Sequence, residues 1–366
     1  MVTNTRGAAP RNFRPGTCTT GAFRAIGVCI LGAAGLAATP ATVHRLVAAM
    51  GTTLEISVVA RDRATALAAS ESAVRAVEAA DARLSTWVRG RELDAVNRVP
   101  PGIWLPLSPE LARDLETAGR WWRESGGAFD PGIASLVVAW DLRGAGKVPV
   151  AGELGEARRT AGFDHLEIEA GRARRLVGGF GVDEGGFGKG VALSDAARAA
   201  LAAGATCVEL DFGGQLVFSG ECEERQVAIA DPRDRHQVIA TLPVRSGSVA
   251  TSGESERFVE VDGETLGHIL DPRTGRPAPN WGSVTVIAED PVAADCAATA
   301  LFVMGPERGL AWAEQRNDLD AVFAVIAGNE LLIFSTTGIR DLSEMMKPHE
   351  YKEMRAESSA LGRMPR

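Results

Sequence analysis

Four glycines, two carboxylates and one lysine crowd the stretch VDEGGFGKG, residues 182–190. Glycine lets a backbone come unusually close to a neighbour or a ligand. Lys189 stands just before a predicted helix, whose N-terminus favours anions. The spacing is not that of a nucleoside-triphosphate loop. Gly190 follows Lys189 where Ser or Thr is required, and Asp183 stands where the first glycine belongs. A dinucleotide fingerprint fails too, because Val191 occupies the sixth position from Gly186. From these residues alone the stretch reads either as an anion-binding turn or as an ordinary glycine-rich entry into a helix.

Four other clusters carry residues capable of chemistry. Asp295 and Thr299 are four apart, on one face of a predicted helix. A carboxylate and a hydroxyl are hard ligands suited to Mg²⁺ or Ca²⁺. The same pair also fits a helix-capping Asp and a Thr bonded back to the preceding turn. A second cluster runs from Thr251-Ser252-Gly253 to His268 and the turn signal Asp271-Pro272-Arg273-Thr274-Gly275. His268 is a candidate general base, or a structural histidine. Ser85-Thr86-Trp87, with Glu92 and Asn97 downstream, offers a ring for stacking or for the core. Gly127-Ala128-Phe129-Asp130-Pro131 is the last. There is no H-E-x-x-H, G-x-S-x-G or metal-type Cys/His pattern. Zincins, elbow-type serine hydrolases and zinc sites are thereby excluded.

These clusters need elements to hold them. Residues 51–60 alternate and are β-rich, which predicts a strand. The alanine-rich run 61–84 predicts a helix. Residues 105–125 predict another, opened by Ser108-Pro109-Glu110 and stopped by Gly126-Gly127. Helices are expected at 191–203 and 292–304, and strands at 207–212 and 216–219. A closing hairpin is expected at 321–326 and 330–335, around Gly328-Asn329. The interspersed pattern predicts an α+β fold, mostly antiparallel, in one continuous domain over 40–345. Residues 346–366 are polar and aperiodic and read as a disordered tail.

The chain has 366 residues and a net charge of −8. The first 38 residues hold four arginines and no acid, then a short apolar run and small residues, the pattern of a signal peptide or N-terminal anchor. Without them the charge becomes −12, which argues against wrapping nucleic acid. Of five cysteines, two lie in this leader. The remaining three form no C-x-x-C pair and read as buried thiols without a disulfide framework.

Taken in order, Met50-Gly51-Thr52-Thr53, Ser85-Thr86-Trp87, Gly127 to Pro131, Asp183-x-x-Gly186-x-x-Lys189-Gly190, Thr251-Ser252-Gly253, His268-x-x-Asp271-Pro272-x-Thr274-Gly275 and Asp295-x-x-x-Thr299 resemble the FAD:protein FMN transferases of the ApbE type. The resemblance implies Mg²⁺-dependent transfer of FMN from FAD to a Ser or Thr of an acceptor protein through a phosphoester, with release of AMP. Some members instead hydrolyse FAD to FMN and AMP. A non-catalytic exported flavin-binding protein is a third reading. The resemblance implies that the Gly186 carbonyl, Asp295 and Thr299 hold the metal. Met50, Trp87, Ala128, Phe129, Asp130, Asp183, Lys189, Ser252, Gly253, His268 and Leu270 would hold FAD in a cleft between two sub-regions. Asp183 and His268 would serve catalysis. Trp87 stands where the family usually has tyrosine, and Glu184 where it has an apolar residue. The resemblance further implies export to the periplasm, with inner-membrane attachment an option. Acceptors would be subunits of Na⁺-translocating quinone reductases or Rnf-type complexes, or other exported flavoproteins.

Overall fold

In the computed structural model, strands pair mainly with neighbours in sequence, and helices carry the chain between hairpins. The described residues are 39–253, 258–261, 264–339 and 351–353. The N-terminal half gives β1 (Ala41–Ala49), β2 (Thr52–Ala60), α1 (Arg63–Leu84), α2 (Glu92–Arg98), β3 (Leu105–Pro106) and α3 (Pro109–Glu124). It continues with α4 (Ala134–Ala139), α5 (Ala151–Thr160), β4 (Leu166–Glu169) and β5 (Arg172–Arg175). Next come α6 (Gly188–Ala202), β6 (Ala205–Phe212), β7 (Gln215–Gly220), β8 (Arg225–Asp231), β9 (Asp234–Val244) and β10 (Gly247–Gly253). The rest is β11 (Phe258–Val261), β12 (Glu264–Gly267), β13 (Leu270–Asp271), β14 (Arg276–Pro277), β15 (Gly282–Ala288), α7 (Pro291–Met304), α8 (Pro306–Ala313), β16 (Leu319–Ala327), β17 (Glu330–Ser335) and β18 (Tyr351–Glu353).

Nine strands form the main sheet, in the order β1-β2-β6-β7-β10-β15-β16-β17-β18. Every pairing in it is antiparallel except β17 with β18. The expected α+β class is borne out. The run LDAVFAVIA shows why β16 is central. Ala321, Phe323 and Val325 enter the core on one face, Val322 and Ala324 the core on the other. A strand alternates its side chains, so a continuous apolar run buries both faces. On one face, the β8–β9 hairpin supplies Val227, Ile229, Ile239 and Leu242. On the other, α7 packs with Val284 and Val286. Farther along, α1 and α6 pack on Leu54, Ile56, Val58 and Leu210.

Three helix starts are capped by side chains, and the one at Ser108 is as expected. Asp62 caps α1, its carboxylate accepting the Thr65 N–H at 2.8 Å. Ser108 caps α3, with Pro109 at the first helical position. Asp290 caps α7, with Pro291 likewise placed. Three helices are tied by one buried cation: Arg83 of α1 reaches Asp114 of α3 at 2.6 Å and Asp195 of α6 at 2.9 Å.

Three expectations meet corrections or limits. The leader, 1–38, lies outside the described residues. Within 346–366, Tyr351–Glu353 is not a tail but a strand beside β17, in register from Leu331↔Tyr351 to Ile333↔Glu353. The reading of three free thiols fails: Cys207 and Cys222 form a disulfide, and only Cys296 is a free, buried thiol among the described residues. The β6–β7 hairpin brings the two Cα atoms to 4.9 Å, a proximity that no sequence spacing announces. Strand β1 was also missed, because its residues alternate between half-buried and exposed at an edge of the sheet.

Closing a loop of 15 residues is worth about 3 kcal/mol. The Cys207→Ser, Cys222→Ser double variant is expected to lose that much in urea unfolding. Dithiothreitol should lower the parent protein to the level of the variant and leave the variant unchanged.

Candidate functional site

The glycine-rich stretch turns from the end of the β5 loop into α6, and its backbone is braced on both sides. Asn97 of α2 accepts the Val182 N–H and donates to the Val182 carbonyl, both at 2.8 Å. An amide side chain thus acts as a strand partner, immediately before Asp183. The Asp183 N–H donates to the Pro131 carbonyl at 2.7 Å. That bond joins the Gly127 to Pro131 cluster to the Asp183 loop. The helix begins at Gly188, so Lys189 lies in its first turn rather than before it. The low helix propensity of Gly188 and Gly190 hides the true start from sequence reading.

The glycines answer to α7. A Cβ on Gly190 would lie 2.6 Å from the Pro291 carbonyl oxygen and 2.8 Å from the Val292 Cα. A Cβ on Gly186 would lie 3.1 Å from the Phe129 ring and 3.2 Å from the Thr299 hydroxyl oxygen. The N-terminus of α6 therefore runs against the start and middle of α7. Asp295 is buried there, and its carboxylate accepts the Gly190 N–H at 3.0 Å. Burial pushes the Asp295 carboxyl up, and the Lys189 charge opposes this. Asp295 does not cap α7, since Asp290 does. It sits one turn in, with Thr299 one turn further and Gly186 beside Thr299. A fully buried carboxylate facing a cation and helix N–H groups, with a hydroxyl on the same face, is a hard-oxygen set that fits a small divalent cation.

Met50 reaches the same place. Met50 and Gly51 have φ of 44° and 75° and form the two-residue turn joining β1 to β2. A positive φ at a methionine is an unusual conformation. Its terminal methyl would lie 3.4 Å from a Cβ on Gly188. Ala128 and Phe129 are buried in the core, the latter against Gly186.

Asp130 faces the main chain. Its carboxylate accepts the Gly132 N–H at 2.7 Å and the Phe163 N–H at 3.4 Å. Burial raises its pKa from 3.8 to about 6, with those two N–H groups pulling the other way. Leu270 is core, in a cluster with Leu136, Trp140 and Leu154. Gly253 is buried and Ser252 half-buried on β10, the strand paired to β15. His268 is exposed in the short link between β12 and β13. The turn after it is structural: Asp271 holds Arg273, whose guanidinium donates to the Val303 carbonyl at 3.1 Å.

Sequence reading missed Arg143. Its guanidinium donates to the Asp183 carboxylate at 2.5 Å and to the Thr86 hydroxyl at 2.6 Å. It also lies 3.6 Å from Glu184 and 4.5 Å over the Trp87 ring. Glu184 is buried and accepts both the Thr86 N–H and hydroxyl. Burial, and then the charge of Asp183, push the Glu184 carboxyl up. Nothing in the sequence around Arg143 marks it, because its partners are 40 and 57 residues away. A cavity of about 840 Å³ opens between α2, α4 and α5. Thr86 and Arg143 line it, whereas Lys189, Asp295 and Thr299 do not.

Residues 50–323 match the family model of the ApbE family. The chain belongs to the ApbE family. All of the candidate residues from Met50 to Thr299 lie within the ApbE match. A relative from Klebsiella pneumoniae, an FAD:protein FMN transferase, is 31% identical over 307 residues, covering 78% of this chain and 87% of that protein. Among solved ApbE structures, the Thermotoga maritima protein superposes with a TM-score of 0.76 at 27% identity, covering 82% of this chain and 99% of that one. The Pseudomonas stutzeri flavinyl transferase, in its apo form, gives 0.73 at 26%, covering 83% and 97%. The family expected from the ordered motifs is borne out, and its named relatives are enzymes.

Two variants test the geometry. Gly190→Ala must push α6 from backbone that cannot yield, and is expected to cost roughly 1–3 kcal/mol in urea unfolding. A variant as stable as the parent would refute the close approach. For Asp130, the folded value lies above the unfolded one. Below about pH 4 both states hold the proton, so nothing is lost. As pH rises to about 6 the unfolded chain releases it first, and stability falls by about 3 kcal/mol, then levels. Plotted against pH, the stability difference between the parent and Asp130→Asn should change by that amount between pH 4 and 6, and be flat above.

Proposed function

We propose that this chain is an FAD:protein FMN transferase, which moves FMN from FAD to a Ser or Thr hydroxyl of an acceptor protein through a phosphoester and releases AMP. The observation that carries this reading is the meeting of the Asp183 loop, the first turn of α6 and the Asp295–Thr299 face of α7. Backbone N–H groups and an ammonium at a helix N-terminus suit a pyrophosphate. The hard-oxygen face beside them suits Mg²⁺. Asp295, Thr299 and the Gly186 main chain would hold the ion, which when bound would offset charge on the pyrophosphate and on departing AMP.

The protein's own groups do the rest. Lys189 supplies a point charge near the phosphates. Asp183, fixed by Arg143 and by the Gly185 N–H at 2.9 Å, orients the flavin nucleotide. The acceptor oxygen bonds to the FMN phosphorus in line as the bond to the AMP oxygen breaks. A hydroxyl without a base is a weak nucleophile at neutral pH. His268, exposed and preceding the Asp271 turn, takes its proton. Transfer to a large acceptor demands a base that a macromolecule can reach, and His268 meets that demand.

We place the enzyme outside the cytoplasm. The arginine-led apolar leader and the Cys207–Cys222 disulfide both favour an oxidising compartment. Among the described residues no helix is long and apolar enough to cross a membrane. Exported flavoproteins, including membrane subunits of quinone-reductase and Rnf-type complexes, are the acceptors this implies.

The test is an endpoint assay with FAD, Mg²⁺ and an acceptor domain, reading AMP and protein-bound flavin fluorescence in a denaturing gel. Transfer gives AMP and a fluorescent acceptor. AMP with only free FMN would reassign the chain as a pyrophosphatase, and intact FAD as a binding protein. Asp295→Ala should abolish the Mg²⁺-dependent rate. His268→Ala should slow transfer by about 10²–10⁴-fold. Full activity in either variant would remove the role given to that residue.

A further inference from the structure

We infer that Arg143 is a positioning residue that mounts Trp87 as one wall of the flavin seat and leaves the opposite face of the indole open to a planar ring. This rests on the flavin reading above. The guanidinium lies 4.5 Å over the ring, yet Trp87 remains 62% exposed. One face is covered by a cation while most of the side chain stays in solvent. An indole held in one orientation with a face open to solvent is a stacking platform.

The mount is built around Thr86. Arg143 donates to the Thr86 carbonyl at 3.2 Å and to its hydroxyl at 2.6 Å. Glu184 accepts the Thr86 N–H at 3.3 Å and the hydroxyl at 2.5 Å. The N–H, the carbonyl and the hydroxyl of the residue preceding Trp87 are therefore all fixed. Arg143 also holds Asp183, so the indole is set at a constant distance from the loop that leads into α6. The two departures at 87 and 184 become one device. An apolar residue at 184 could not accept the Thr86 bonds, and a mount without them would leave the ring free to turn. Pre-ordering of this kind lowers the cost of binding rather than the barrier to chemistry.

A double-variant cycle tests it, reading AMP release from FAD with Mg²⁺ and quenching of flavin fluorescence on binding. Arg143→Ala is expected to raise KM for FAD roughly fivefold to tenfold, as loss of a cation–π contact and its ordering would, while kcat changes less than twofold. Arg143→Lys, which keeps the cation, should recover part of the loss. Lys147→Ala, on the same cavity wall, should change nothing. In a Trp87→Ala background, the further rise in KM from Arg143→Ala should be clearly smaller than in the parent, the remainder reflecting its hold on Asp183. An unchanged KM in Arg143→Ala, or effects that multiply in the double variant, would overturn the inference. If the parent protein turns over FAD normally in that case, the flavin reading survives and the mount alone fails. A parent protein that neither binds nor cleaves FAD would overturn both.

Discussion

The contact between the first turn of α6 and α7 sets the terms for the rest of the molecule. Two helices meet where glycine removes every side chain that would separate them, and a buried carboxylate on one accepts an N–H from the other. Such a carboxylate is costly unless its charge is met. Here it is met by oriented N–H groups and by Lys189. The core must hold both helices against the sheet for this to persist. The Arg83 ion pairs with Asp114 and Asp195 do part of that work from the far end of α1. The central sheet, buried on both faces, does most of it.

The site has two halves of different character. The α6–α7 half is close-packed, with Asp295, Gly186, Phe129 and Gly190 each in contact with main chain or core. The Arg143–Trp87 half is half-exposed and built from ion pairs and a stacked ring. Asp183 belongs to both.

Much of this was legible in the sequence, for stated physical reasons. The cap with proline behind it, Ser108-Pro109, announced α3, because the signal is local, whereas the equivalent Asp290-Pro291 start of α7 was passed over. The Asp295–Thr299 spacing placed two oxygens on one helix face without any tertiary knowledge. What was hidden depended on distance along the chain. The Asn97 brace on Val182 and the Arg143 clamp on Asp183 join segments 85 and 40 residues apart. Cys207 and Cys222 looked like spare thiols because only the folded β6–β7 hairpin brings Cys222, just past the end of β7, beside Cys207. The main-chain bonds of Asp130 were hidden as well, since its carboxylate organises Gly132 and the distant Phe163.

Helix α7 is enclosed on nearly every side, with only Thr299 among its residues not fully buried. Its oxygens and its hydrophobic face therefore cannot drift independently, since a change tolerated by packing must also be tolerated by the site. Divergence is then steered outward. The half-exposed rim that carries Trp87 and Arg143 is under no such double constraint, so a change there is felt at the rim without risk to the core.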